Sequence, residues 1–494
     1  MKKYILKLAL LLLFITSCSK ATPEVPLITQ PIPTPESTPT KAVLPPESTP
    51  TQVLATIPSG SDPETDEYIE LPTYPTFGIE IGINKYDVLP QASQAHTTWI
   101  RCNALLWSDV QPNNSGEFLW EEVKEFEDFL VEASRSDMQV VLIIRSTPKW
   151  AQKYPGVFCG PVAEDNFEDF AAFMQAIVER YSVPPFNVSY FEIGNEPDVD
   201  RSIVNPTSVF GCWGDKNDAY YGGGYYADML KTVYPAMKAA NPETQLVLGG
   251  LLLDCDPRLP VGEACASDWQ KTLSMFFEGI LRNGGGDYFD VVSFHGYNYY
   301  NPDVYPILME KTIKNWREAG GNVEGKLGFL KSLMSQYQLN KPLMLTEVAL
   351  LNSGDATPES EAMKADYLVW LYTRNWAKGI MATFWYPLDG PGWRNSSLLD
   401  AQQNPLPAYD AYQFMTSTLS NAVYKSELAF PDGAIGFEFL KDNRIWVLFS
   451  EDGSQITLTL PDGIDRVYDL FGEGLITGEG KISFSRPIYI VFQN

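Results

Sequence analysis

Two glutamates stand at the ends of apolar runs. "YFEIGNEP" (190–197) places Asn195 and Glu196 just past Ile193, and "PLMLTEV" (342–348) places Glu347 after Leu345 and Thr346. A carboxylate in such a position is costly unless it is paired, hydrogen-bonded or used. Two carboxylates facing one another can do one kind of chemistry well. One protonates a leaving oxygen while the other attacks the adjacent carbon or activates a water, which is what glycosidic bond cleavage requires. The same glutamates would also serve as structural partners of a buried lysine or arginine. Other chemistries find less support. The chain has two histidines, His96 and His295, and His96 lies in a polar stretch. A metal-dependent hydrolase normally uses several, so no metal and no other cofactor is expected. A Ser-His-Asp hydrolase would need His295 as its base, yet no G-x-S-x-G elbow follows an apolar run.

Residues so far apart in sequence need a scaffold that collects them. From about 75 to 418, short apolar runs alternate with longer amphipathic stretches. The runs are "FGIEIGI" (77–83), "TWIRCN" (98–103), "VVLIIRS" (140–146), "YFEIGNE" (190–196), "QLVLGG" (245–250), "VVSFHGY" (291–297), "PLMLTEV" (342–348) and "MATFWY" (381–386). Between them, "EDFAAFMQAIVERY" repeats Phe170, Phe173, Ile177 and Tyr181 at helical spacing. This alternation predicts an α/β fold, a (β/α)8 barrel. A doubly wound open sheet is the alternative, but no glycine-rich nucleotide turn follows the first run. In such a barrel the chemistry sits where strands end and loops begin. Those ends carry Arg101 and Asn103, then Asn195 and Glu196, His295 and Tyr297, Glu347, and Trp385 and Tyr386, with Trp150 just past the third run.

A fourth run ending "NEP", a sixth carrying "HGY", a seventh ending "TE" and an eighth ending "FW" together resemble glycoside hydrolase clan A, the 4/7 superfamily. "STPKWA" (146–151) is similar to a stretch common there, and the C-terminal region resembles the accessory domain of families such as family 39. The resemblance implies that Glu196 is the general acid/base and Glu347 the nucleophile. It implies that Asn195 bonds the sugar 2-hydroxyl, and that Tyr297 and Arg101 contact Glu347 and keep it ionised. Trp385 would form the floor of the subsite where the bond breaks, and His295 would line the same pocket without a proton-transfer role. Physical chemistry agrees: a guanidinium lowers a nearby carboxylate's pKa, while a carboxyl against an apolar wall keeps its proton. Arg101 would also fit a barrel-interior ion pair that touches no substrate. Trp107, Trp150, Trp213 and Trp393 fit either sugar platforms or loop packing. The implied activity is that of a retaining glycosidase acting on a neutral plant- or microbe-derived glycan, such as a β-xyloside or β-glucoside. A non-catalytic glycan-binding surface protein and a transglycosylase are the rival readings.

The rest of the chain bounds where this happens. Acidic residues number 62 against 36 basic ones, a net charge of -26, which sets aside nucleic acid and anionic membranes as partners. The resemblance implies a carbohydrate as the partner. "MKKYILKLALLLLFITSCSK" has a basic start and an apolar run from Leu8 to Ile15 that is too short to span a membrane. Its Ile15-Thr16-Ser17-Cys18 resembles a bacterial lipobox, which implies cleavage after residue 17, lipidation of Cys18, and an exported lipoprotein held to the membrane through that lipid alone. Residues 18–74 repeat "PESTPT" and are rich in Pro, Thr, Ser and Glu, the composition of an extended tether. Residues 75–418 form the barrel. From 419 to 494 the texture changes to short strands, "GAIGFEFL", "RIWVLFS", "QITLTL", "RVYDLF" and "PIYIVF", separated by Gly, Asp and Asn turns, which predicts a small all-β sandwich packed away from the barrel mouth. Export permits disulfides. Cys255 and Cys265 flank one loop, Cys159 and Cys212 lie in the loops after the third and fourth runs, and Cys102 sits inside a strand-like run. Spacing does not fix their connectivity. Cys18→Ala is expected to release the protein from membranes or leave its precursor uncleaved; unchanged fractionation and processing would contradict the anchor.

Overall fold

A computed structural model describes residues 76–493 except 83, 206, 207, 209 and 479, with the backbone alone at 103 and 104. The export segment, Cys18 and the tether lie outside the described residues. Eight parallel strands carry the sheet: β1 (Phe77–Ile81), β2 (Trp99–Leu106), β3 (Gln139–Arg145), β4 (Tyr190–Ile193), β5 (Gln245–Leu248), β6 (Val292–Tyr299), β7 (Leu343–Leu351) and β8 (Ala382–Trp385). Their order is β5-β4-β3-β2-β1-β8-β7-β6. Parallel bridges Val247–Val291 and Leu251–Phe294 join the two ends and close a (β/α)8 barrel.

Period-2 alternation sorts each strand's side chains. At one end of the barrel Trp99, Val141, Val247, Val291, Met344, Ala382 and Phe384 pack together as an inner apolar plug. Their neighbours along each strand face outward into the core shared with the helices. The helix Phe167–Tyr181 shows the rule from the other side, since Phe170, Phe173, Ile177 and Tyr181 are all buried. Further along the strands, the inward positions become polar: Glu80, Arg101, Glu192 and Ser293. In β7 the register against β6 jumps so that Phe294 faces Leu345 and His295 faces Glu347. The extra residue, Thr346, is a bulge that shifts the alternation by one and turns Glu347 inward.

The sandwich has more strands than its sequence pattern announces. The larger sheet, in order β13-β15-β11-β10-β9, contains β9 (Val423–Ala429), β10 (Ala434–Leu440), β11 (Arg444–Ser450), β13 (Ile464–Tyr468) and β15 (Ile488–Phe492). The smaller pairs β12 (Ile456–Thr459) with β14 (Lys481–Phe484). Barrel and sandwich belong to one compact unit. Their joint runs along the helix Pro358–Ala377, which starts with a capping box between Thr357 and Ser360 and Pro358 in its first turn. Its Trp370 meets Phe437 and Phe449, and its Asp366 pairs with Arg486 at 2.7 Å. The disulfides are Cys159–Cys212 and Cys255–Cys265, and Cys102 is a buried thiol. No helix among the described residues is long and apolar enough to cross a membrane.

Trp376 of the same helix touches both bodies, with ring centroids 5.8 Å from Phe77 of β1 and 4.9 Å from Phe439 of β10. Trp376→Ala is therefore expected to cost about 3–5 kcal/mol, the range for truncating a buried tryptophan. Denaturant unfolding followed by near-UV and far-UV dichroism checks it, and the two probes should still report one transition.

Candidate active site

Arg101, on β2, is fully buried and gathers carboxylates from three other strands. Its Nε donates to Glu192 Oε2 at 2.7 Å, and its Nη1 donates to both Glu80 Oε2 at 2.5 Å and Glu347 Oε1 at 2.6 Å. Its Nη2 donates to Asn195 Oδ1 at 2.6 Å, which orients that amide. Glu192 also accepts from Gly250 N at 2.8 Å and from the Ser293 hydroxyl at 3.1 Å. The carboxylate inside "YFEIGNE" is thus satisfied on every side, as a buried charge must be.

The two expected catalytic carboxyls meet above this network. Glu347 accepts the Tyr297 hydroxyl and the Arg101 guanidinium. Burial pushes its carboxyl up, but His295, Arg101 and the Tyr297 hydrogen bond outweigh that and hold it below the usual carboxylate range. Burial, reinforced by Glu347 and Glu196, keeps the Tyr297 phenol protonated well above its usual range, so it remains a donor. Glu196, three residues past β4, has a left-handed backbone conformation, φ 49°, uncommon outside glycine. Its N–H donates to the Gly250 carbonyl at 3.0 Å, and its carbonyl accepts from Val199 N at 2.9 Å. His295 Nδ1 lies 2.9 Å from Glu196 Oε1 and 3.5 Å from Glu347 Oε2, so the ring bridges the pair. Donor atoms of Glu196, His295 and Glu347 all lie within 4.8 Å of one another, near enough to hold a metal ion as well as a shared proton. Gly250 allows the bridge, because a Cβ there would meet His295 Nε2 at 2.0 Å.

The structure thus brings Glu196, Glu347, Asn195, Arg101, His295 and Tyr297 into one cluster. Arg101 contacts Glu347 as the resemblance implies, whereas Trp385 sits differently from expectation. Arg101 and His295 have no exposed surface, so they support the carboxyls from behind instead of meeting a substrate. Trp385 is likewise fully buried. Alternation along β8 points Phe384 and Tyr386 inward and Trp385 outward, where it packs on Tyr367 and donates to the Ser396 carbonyl at 2.8 Å. Tyr386 stands edge-on to Tyr297 with ring centroids 5.9 Å apart. Trp150 is half-buried against Trp107 and donates to the Gln111 carbonyl, a loop-packing role. Trp107 and Trp213 are buried. Glu80, Glu192, Arg145 and Gly250 escaped the sequence reading. Glu80 and Glu192 are charges at inward strand positions that bond Arg101, Arg145 shares the inward parity of Val141 four residues further along β3, and that parity was their readable mark.

No family model matches the sequence, and no curated protein matches it. Solved structures do. A family 39 glycoside hydrolase from the gut symbiont Bacteroides cellulosilyticus WH2 superposes with a TM-score of 0.63 at 20% identity, over 85% of this chain and 81% of that one. The chain shares the (β/α)8 fold of that glycoside hydrolase. A conserved exported protein from Bacteroides fragilis matches with a TM-score of 0.58 at 12% identity, over 85% and 97% of the two chains. A glucosidase from Croceicoccus marinus matches with 0.51 at 12% identity, over 83% and 80%. On this (β/α)8 scaffold, Glu196 stands three residues past β4 and Glu347 in the middle of β7.

The depressed Glu347 pKa has a sign that can be tested. Its charge stabilises the fold above the unfolded carboxylate range, and that contribution is lost as pH falls through the folded pKa. A reaction needing ionised Glu347 loses rate over the same low range. Tyr297→Phe removes a hydrogen bond to a charged group, worth about 1.5–3 kcal/mol. The acid limb of the kcat/KM profile should therefore move up by about 1–2 pH units, at 1.36 kcal/mol per unit. An unmoved limb would show that Tyr297 does not tune this carboxyl.

Proposed function

We propose that the chain is a retaining glycoside hydrolase that cleaves O-glycosidic bonds of a neutral oligo- or polysaccharide by double displacement. The observation that carries this reading is the carboxyl pair, Glu196 on β4 and Glu347 on β7, with oxygens within 4.8 Å. Retaining enzymes hold their carboxyls about 5–5.5 Å apart, whereas inverting ones need roughly 6.5–9.5 Å to admit a water. Glu347 attacks the anomeric carbon as Glu196 gives its proton to the leaving oxygen. A glycosyl ester on Glu347 results. Glu196 then takes a proton from water, which opens the ester from the face the leaving group left, so the anomeric configuration is kept. Arg101 and Tyr297 hold the nucleophile charged and in place, and His295 keeps both carboxyls in register. A β-xyloside or β-glucoside is the substrate proposed, and a lipid on Cys18 is the proposed tie to the membrane.

Two variants separate the roles. Glu347→Ala should abolish turnover of every glycoside, since no ester can form. Glu196→Ala should lower activity on ordinary glycosides by about 10²–10⁴, the usual worth of a general acid. It should spare dinitrophenyl glycosides, whose leaving group needs no proton, and added azide should then yield a glycosyl azide of retained configuration. Wild-type activity should survive EDTA. An inverted azide product, or an EDTA-sensitive reaction, would overturn the assignment.

A further inference from the structure

Among the tryptophans considered as sugar platforms, Trp393 alone is well exposed, at 47%. It follows β8 and stands edge-on to Tyr297, with ring centroids 5.5 Å apart and planes at 90°. Tyr297 is the residue that donates to Glu347. Trp393 therefore stands beside the carboxyl pair with much of its indole in water. A large aromatic surface left exposed next to a site is a binding feature, because its burial by a ligand is favourable.

The loop that presents it is fixed. Asn352 N donates to the Arg394 carbonyl at 2.8 Å, and Asn395 Nδ2 donates to the Gly354 carbonyl at 2.9 Å. Buried Lys364 donates to the Asn395 and Ser397 carbonyls at 2.9 and 3.0 Å, and Trp385 Nε1 holds Ser396. A ligand that stacks on Trp393 therefore need not first order the loop. Arg394 lies over the Trp393 ring at 4.8 Å and over the 41%-exposed Tyr299 ring at 5.3 Å. Among the described residues its guanidinium meets these two rings, in a chain where acidic residues outnumber basic ones 62 to 36. Its fan of N–H donors is thus offered at the edge of an aromatic face. An apolar face with directed donors at its rim matches a pyranose, which has C–H faces and equatorial hydroxyls.

We propose that Trp393 and Arg394 form a second sugar subsite on the rim of the mouth, so that the preferred substrate is a chain of at least two sugar units on the side of the Glu347 nucleophile. Glu196, which serves the leaving group, approaches from β4, whereas Trp393 follows β8 and abuts the tyrosine of the nucleophile. This rests on the glycosidase reading of the carboxyl pair.

The test compares p-nitrophenyl β-xyloside with β-xylobioside, and β-glucoside with β-cellobioside. Wild type should favour the disaccharide glycoside of the pair it cleaves by at least about tenfold in kcat/KM. Trp393→Ala should remove most of that preference, Arg394→Gln part of it, and Trp393→Phe should restore much of it. A direct readout runs alongside: tryptophan fluorescence of Glu347→Gln titrated with xylotetraose and cellotetraose should change on binding, and the change should vanish in Glu347→Gln/Trp393→Ala. Equal losses on mono- and disaccharide glycosides, or unaltered titration in the double variant, would overturn the subsite while leaving the catalytic reading intact. If no glycoside is cleaved but Trp393-dependent oligosaccharide binding persists, the catalytic reading fails and the subsite stands.

Discussion

One guanidinium organises the barrel interior. Arg101 alone links β2 to β1 through Glu80, to β4 through Glu192 and Asn195, and to β7 through Glu347. A buried charge with its partners removed is severely destabilising, by about 3–5 kcal/mol, because the remaining charges lose their compensation. Here three carboxylates would be stranded at once. The strands whose ends must converge for catalysis are thus the strands that Arg101 cross-ties, so the position of the nucleophile and the integrity of the barrel rest on the same contacts.

That network also decides where charge resides. Glu80 and Glu347 both accept from Nη1, which has an N–H for each. Burial pushes Glu80 well above the usual carboxylate range, with Arg101 opposing and Glu347 reinforcing the rise. Glu347 also takes the Tyr297 hydroxyl and the nearby His295, and its carboxyl is held down. A proton entering the cluster goes to Glu80, and the negative charge stays on the residue at the mouth. Behind Glu196, buried Lys326 donates to the carbonyls of Leu252 and His295, and burial lowers its pKa to about 8. It ties the loop after β5 to β6 at the level of the histidine that bridges the two carboxyls.

The sequence made the strand ends readable because barrel strands are apolar runs whose chemistry begins where the run stops. Glu196, Glu347, Arg101, His295 and Tyr297 could be named that way. Glu80 and Glu192 could not, because they lie inside apolar runs and only the parity they share with Arg101 marks them. Trp385 was misplaced for the same reason. It ends its run, but Phe384 packs in the inner plug, so period two sends Trp385 outward and Tyr386 inward. The bulge at Thr346 left no trace in "LMLTEVALL", which reads as uninterrupted strand whichever residue is extra. In the sandwich, β9 escaped notice because most of "VYKSELA" is exposed and its centre is polar, and β14 because "KISF" is short.

Trp385 shows how an outward residue still serves the mouth. Its ring lies between the barrel and the 358–377 helix, on Tyr367, and its indole N–H holds the loop that carries Trp393. Lys364 of that helix grips the same loop on both sides of Ser396. Two residues further along, Asp366 binds Arg486 of the sandwich, between β14 and β15. A lysine buried this deeply is expensive to place, and Glu361 at 2.9 Å together with two carbonyl acceptors compensates its charge. The helix is therefore fixed from both sides, by the sandwich on its outer face and by the loop after β8 at the mouth. Among the described residues the sandwich supplies none of those bonded to the carboxyl pair, yet it packs on the element from which the rim of the site is held.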